Sequence, residues 1–203
     1  PHEPPLTLAG FAWYATDRVY RRMPVKPAHK ITEAVDMLAN CTAGGQIRLQ
    51  TNSRKMALRV QLRAREDMPH MAPTGQVGFD WYVGPAGGRQ YFFGVTKTFD
   101  RVQSDYESAM FEFPQAAWRD VTINFPLYQG VNEVSVGVQQ GAQVAPPSPF
   151  RTDGRVVVYG TGHALMGEVV ALTRKHFETP FGQVPCDTAF VDALAGRLGD
   201  AAW

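Results

Sequence analysis

Between Gln46 and Val138, apolar and polar residues alternate in short runs separated by turn-forming residues, the pattern of half-buried antiparallel strands. Leu58, Val60 and Leu62 fall on one face of such a strand, with Arg59, Gln61 and Arg63 on the other. The same period of two recurs in Phe79, Trp81 and Val83, in Ala109, Phe111 and Phe113, in Val121, Ile123 and Phe125, and in Val134, Val136 and Val138. Asn52-Ser53, Pro85-Ala86-Gly87-Gly88 and Tyr128-Gln129-Gly130 cut the runs with residues that favour turns. This pattern predicts a mainly β fold, an antiparallel sandwich or jelly roll, with little room for helix. Its expected core contains Leu58, Val60, Phe79, Phe111, Val121, Ile123, Val134 and Val136. Ahead of it, Met23 to Pro27 is expected to be extended, and Ile31 to Leu38 reads as strand or one short helix.

The period changes after Ala145-Pro146-Pro147-Ser148-Pro149, whose prolines supply no amide for a ladder and stiffen the chain into a linker. Val156-Val157-Val158 is a continuous apolar run, as in a strand covered on both faces of a parallel sheet. Asp187 is placed to cap a closing helix with Phe190, Val191, Leu194 and Leu198 on one face and Gly199 at its end. The expected division is an accessory β-sandwich over residues 1–145, a linker over 146–153 and an α/β segment over 154–203. That last segment has one clear strand and too few partners for its apolar residues. It is expected to dock on the sandwich or to self-associate.

The 203 residues carry 20 Lys and Arg against 19 Asp and Glu, and no basic stripe gathers the cations, so a nucleic-acid partner has no electrostatic basis. No apolar run approaches the ~20 residues of a membrane span, and Pro1-His2-Glu3-Pro4-Pro5 does not read as a signal peptide. A soluble chain is expected; a secreted or periplasmic origin with the leader removed stays open. Cys41 and Cys186 have neither metal-ligand spacing nor a disulfide framework and read as buried thiols. No metal or cofactor is implied.

The segment Gly154 to Gly167 runs the apolar strand into the tight turn Tyr159-Gly160-Thr161-Gly162-His163. It resembles the first sequence block of the SGNH/GDSL hydrolases, in which a nucleophilic serine occupies the position of Gly162. Met68-Pro69-His70-Met71 followed by Thr74-Gly75-Gln76-Val77-Gly78-Phe79-Asp80-Trp81-Tyr82 is similar to the Gly-x-Asp-Leu-Tyr signature of the β-sandwich domain that precedes the catalytic domain in a group of SGNH hydrolase-type esterases, with Trp81 in place of leucine. Asn40, Gly44 to Arg48 and Asn124 to Gly130 also fit that domain's pattern. The resemblance implies a jelly-roll-like sandwich followed by the start of an SGNH-type α/β domain. It also implies hydrolysis of carboxylic esters, among them acetyl groups on carbohydrates.

The chemistry by this route needs a hydroxyl nucleophile, an imidazole base, an orienting carboxylate and oxyanion donors. Gly162 offers only its backbone amide, and the family's later oxyanion blocks and Asp-x-x-His block have no counterpart before Trp203. Thr161 and His163 are the nearest substitutes; neither lies on the expected line of attack. Gly162 equally fits an ordinary turn glycine, and His163 a polar loop residue. His70, Asp80, Tyr82 and Thr161 are candidate ligand contacts, although turn hydrogen bonding accounts for His70 and Asp80 as readily. Trp81 and Tyr82 point to opposite faces, so one belongs to the core and the other is available to stack on a sugar. Three readings follow. The chain is the catalytically incomplete N-terminal part of an ester hydrolase acting on a carbohydrate ester, a non-catalytic glycan-binding or pseudoenzyme module, or a structural or interaction domain.

Overall fold

The computed structural model describes residues 2–65, 68–97, 104–150, 177–179 and 182–198, with the side chains of 177–179, 182–184 and Leu198 excepted. Two compact units divide the chain, Pro1–Thr152 and Asp153–Trp203.

The first unit is two antiparallel sheets around one core. Strand β1 (Thr7–Ala9) is followed by single-turn helix α1 (Tyr14–Asp17), helix α2 (Glu33–Leu38), and strands β2 (Gln46–Thr51) and β3 (Lys55–Leu62). The one-turn helix α3 (Pro73–Gln76) then leads into β4 (Asp80–Val83), β5 (Tyr91–Val95), β6 (Asp105–Glu112), β7 (Arg119–Asn124), β8 (Val131–Val138) and β9 (Val144–Ala145). The larger sheet runs β1-β2-β7-β4-β5, with β9 also beside β2; the smaller runs β6-β3-β8. Ile31 to Leu38 resolves as helix because Thr32 caps it, its hydroxyl accepting the Val35 N–H at 3.3 Å.

β3 shows why this sequence folds as it does. Met56, Leu58, Val60 and Leu62 are buried while Lys55, Ala57, Arg59 and Gln61 are exposed, so one face is core and the other is water. The opposing sheet contributes Ile47 and Leu49 from β2, Val121 and Ile123 from β7, and Trp81 from β4; Phe79, Phe125 and Val131 complete the same cluster. Every residue expected in the core is there, with Val136 only partly buried. Ala109 departs from the expected alternation: it is exposed, and Met110 and Phe111 are both buried. The β3–β6 register shifts between Met56 and Ala57, so one residue is inserted opposite that step and the parity of β6 changes. A second bulge between Trp81 and Tyr82 lets Gly94 lie against the indole of Trp81, where a Cβ would sit 2.8 Å from the ring.

The amino-terminal residues close one end of the core. Phe11 packs edge-on to Phe125 at 4.9 Å between centroids, and Tyr14 stacks on Tyr20 at 4.8 Å. Burial pushes the Tyr20 phenol well above its ordinary range. Cys41 and Cys186 are half-buried rather than buried.

In the second unit, β10 (Phe177–Thr179) pairs antiparallel with β11 (Gly182–Val184), and α4 spans Thr188–Leu198. Asp187 caps α4 as expected, its carboxylate accepting the Phe190 N–H at 3.0 Å. Val156 to Val158 and Gly199 lie outside the described residues.

Candidate functional site

Four separate stretches converge at the end of the sandwich where β2 and β4 begin and β3 and β7 finish. Two buried polar side chains organise them. The Thr42 hydroxyl lies 3.0 Å from the Pro126 carbonyl and 2.9 Å from that of Gln129, tying the β7–β8 loop to the entry of β2. Gln76, on α3, donates from Nε2 to the carbonyls of Met68 and Met71 at 2.9 and 2.8 Å and accepts the Met68 N–H at 3.0 Å. The Tyr128 N–H in turn reaches the Gln76 carbonyl at 3.3 Å. Arg63 completes the cluster: its N–H donates to Gly130, and its guanidinium meets the Asn40 Oδ1 at 2.6 Å, which also accepts from buried Arg21. Burying Thr42 and Gln76 is tolerated because each is hydrogen-bonded, and the result is a set of fixed loops rather than a packed layer. His70, Leu127 and Tyr128 are displayed on its outside.

A second arrangement occupies the outer face of the larger sheet. The β2–β7 and β7–β4 registers align Gln46, Asn124 and Asp80 in one cross-strand row and Arg48, Thr122 and Tyr82 in the next. Gln46 Nε2 donates to Asn124 Oδ1 at 3.0 Å, and Asn124 hydrogen-bonds the Asp80 carboxyl. Burial raises the Asp80 pKa above the usual carboxylate value, opposed by the Asn124 and backbone hydrogen bonds. Tyr82 meets Phe92 of β5 edge-to-face at 5.6 Å, and Phe92 is 60% exposed. Gln90 Nε2 closes this margin on the Thr122 hydroxyl at 3.0 Å.

Beside these rows, the residues after β9 are clasped flat on the same face. Asp120 accepts the Ser148 N–H at 2.7 Å and its hydroxyl at 2.8 Å, and Gln50 donates to Asp120 at 3.1 Å. Arg48 donates to the Ser148 carbonyl and lies 3.7 Å under the centre of the Phe150 ring. Arg48 is 3% exposed, and its Nε has no hydrogen-bond partner. Burial therefore lowers the Arg48 pKa, with the Asp120 charge opposing.

Of the residues singled out in the sequence, Asp80 and Tyr82 share one face, Trp81 is in the core, and His70 sits on the loop held by Gln76. Thr161, Gly162 and His163 lie outside the described residues. Thr42, Gln76, Arg48 and Asp120 do the most to build the two arrangements; Gln76 and Arg48 fall within stretches that fit the domain's pattern, but nothing in the sequence marks any of the four as a site residue. The one local irregularity is at Arg48, a charge between the apolar Ile47 and Leu49. Among the described residues no group of three or more His, Cys, Asp or Glu is placed to hold a metal ion, and no helix is long and apolar enough to cross a membrane.

The model of the GxDLY domain, the N-terminus of SGNH hydrolase-type esterases, matches residues 1–144. No curated protein matches the chain significantly. Among the solved structures similar to this chain are two of known description. One, described as a GDSL-like lipase from Bacteroides ovatus ATCC 8483, aligns over 71% of this chain and 42% of its own, with 20% identity and a TM-score of 0.63. The other, a salicylyl-acyltransferase from a tetracycline biosynthetic pathway, aligns over 73% of this chain and 41% of its own, with 22% identity and a TM-score of 0.51. At these identities the likeness shows the fold alone, and the chain spans about two fifths of the length of either structure.

Proposed function

The chain belongs to the family of SGNH hydrolase-type esterases that carry the N-terminal GxDLY domain, and from that premise we propose that it forms the N-terminal part of a carboxylic ester hydrolase, with a carbohydrate acetyl ester as substrate. Residues 1–145 act as a jelly-roll-like accessory module, and residues 154–203 begin an SGNH-type α/β domain. The observation that carries this reading is the order of the two signatures. Gly78 to Tyr82 stands within the matched domain, and Tyr159-Gly160-Thr161-Gly162, which follows it, resembles the nucleophile block of the SGNH hydrolases.

Gly162 has no hydroxyl, so the chain as it stands lacks the group that attacks the carbonyl, and its backbone amide supplies at most one oxyanion donor. We expect no hydrolysis of p-nitrophenyl acetate by the purified chain. Gly162→Ser alone should add little, because a serine without its base is a weak nucleophile and triad members act as a unit. Joining the same variant to an SGNH α/β portion that contains the Asp-x-x-His block should give turnover, and joining the glycine form should not. Robust hydrolysis by the chain itself, abolished by His163→Ala, would overturn the incomplete-enzyme reading.

A second reading has its own observation. The exposed Phe92 and half-buried Tyr82 stand beside a row of hydrogen-bonding side chains on an open sheet face, which supports a module that binds glycans without hydrolysing them.

A further inference from the structure

We propose that the outer face of the larger sheet is a saccharide subsite in which a neutral sugar ring lies against Tyr82 and Phe92 while neighbouring hydroxyls bond to Asp80, Asn124 and Gln46. The proposal rests on the glycan-binding reading and is independent of whether Gly162 replaces a nucleophile.

The chemistry of the face excludes the other ligand classes in turn. An apolar ligand would cover the Asp80 carboxyl and the Asn124 and Gln46 amides without satisfying them, at the cost of desolvating each group. An anionic ligand would meet the charges of Asp80 and Asp120, while the cation of the neighbouring row, Arg48, is covered by Ser148 and Phe150. A polyol with apolar ring faces suits both halves of the surface. The bonds from Gln46 to Asn124 and from Asn124 to Asp80 run in one direction. They leave acceptor capacity on the carboxylate at one end and on the Gln46 carbonyl at the other, and a sugar hydroxyl can donate to either. Among the described residues Asp80 makes no ion pair, so this acceptor is not already neutralised by a cation.

Spacing fits as well. Asp80 and Tyr82 are two residues apart on one strand, hence on the same face and ~6.6 Å apart along it, about the reach of a single sugar ring. The register shift at Tyr82 brings Phe92 rather than Phe93 opposite it, so the two rings form a corner above the sheet. Phe93 instead turns toward Phe111 and Phe113.

The test is a titration of the full 203-residue chain, labelled with nitrogen-15, with xylotetraose, cellotetraose, mannotetraose and tetragalacturonate in turn. At least one neutral tetrasaccharide should shift the amides of β4, β5 and β7, and tetragalacturonate should shift none of them. Phe92→Ala should weaken the responding sugar at least about tenfold with no change in melting temperature, because the ring is exposed. Asp80→Asn should weaken it by a smaller factor, since the amide retains an acceptor. The proposal is overturned if none of the neutral sugars shifts these amides, if the shifts centre on the loops at His70 and Tyr128, or if Phe92→Ala binds as well as the parent. Ester hydrolysis is not read in this titration, so its failure leaves the hydrolase reading standing, and a failed hydrolase assay leaves the subsite standing.

Discussion

On the inner face of the larger sheet, Ile47, Leu49, Val121, Ile123 and Trp81 pack against the smaller sheet with almost no exposed surface. On the outer face, the same three strands present Gln46, Arg48, Gln50, Asp120, Thr122, Asn124, Asp80 and Tyr82. An ordinary outer face is solvated. Here Arg48 and Thr122 are buried and most of the others half-buried, so the second face is ordered by hydrogen bonds instead of by apolar contact. The contrast separates two kinds of burial. The inner face gains stability from area removed from water, whereas the outer face gains only the small net value of each hydrogen bond and loses more when one partner is removed. Part of the outer face is already occupied by the Ser148 clasp, and the part around Asp80 is half-buried, with exposed Phe92 at its margin.

Truncating the inner face should show the largest effect. Phe79 is fully buried and its ring lies 5.0 Å from that of Phe125. Phe79→Ala should cost ~3–5 kcal/mol through lost burial and the cavity left behind, measured by urea denaturation. A cost under ~1 kcal/mol would mean that the inner face is not the packed layer that sets stability.

The clasp comes next. Asp120→Ala removes both acceptors of Ser148 and the charge nearest to buried Arg48, and should cost ~1–3 kcal/mol, with faster amide exchange at Ser148. Arg48→Met should cost less than Asp120→Ala, because it removes the buried charge instead of leaving it uncompensated. The reverse order would show that Arg48 contributes through its contact with Phe150 more than through its charge.

The two faces were not equally legible in the sequence. Strict alternation in Leu58, Val60 and Leu62, and again in Val121 and Ile123, specifies the inner face because a period of two leaves one choice of which side goes in. The same spacing places Asp80 and Tyr82 together, opposite Trp81. β5 carries no such mark, since Tyr91-Phe92-Phe93 is a continuous aromatic run without a period. The exposure of Ala109 depends on a register shift that only pairing with β3 reveals. The clasp joins Arg48 to Ser148 across 100 positions and Ser148 to Asp120 across 28, and polar residues carry no local mark of such partners. The loop cluster hides for the same reason: Thr42 and Gln76 are polar residues in loop-like sequence, and their burial is a consequence of the fold.

The smallest effect concerns the open end of the outer face, and pH separates it from the rest. Burial holds the Asp80 carboxyl above its usual value, so the fold favours its protonated form. The stability it contributes is fully present below the ordinary carboxylate pKa and is lost as pH rises through the elevated folded value. Asp80→Asn keeps the size of the side chain and removes the charge. It should therefore raise stability at pH 7 and change little at about pH 3, where the parent carboxyl is largely protonated in both states. The gain should stay under ~1 kcal/mol, since water screens a half-exposed group. Denaturation of parent and variant across this range gives the difference directly. A difference that does not vary with pH would mean that Asp80 sits as an ordinary solvated carboxylate, and the outer face would then lose the half-buried acceptor that sets it apart from a plain solvent-facing sheet.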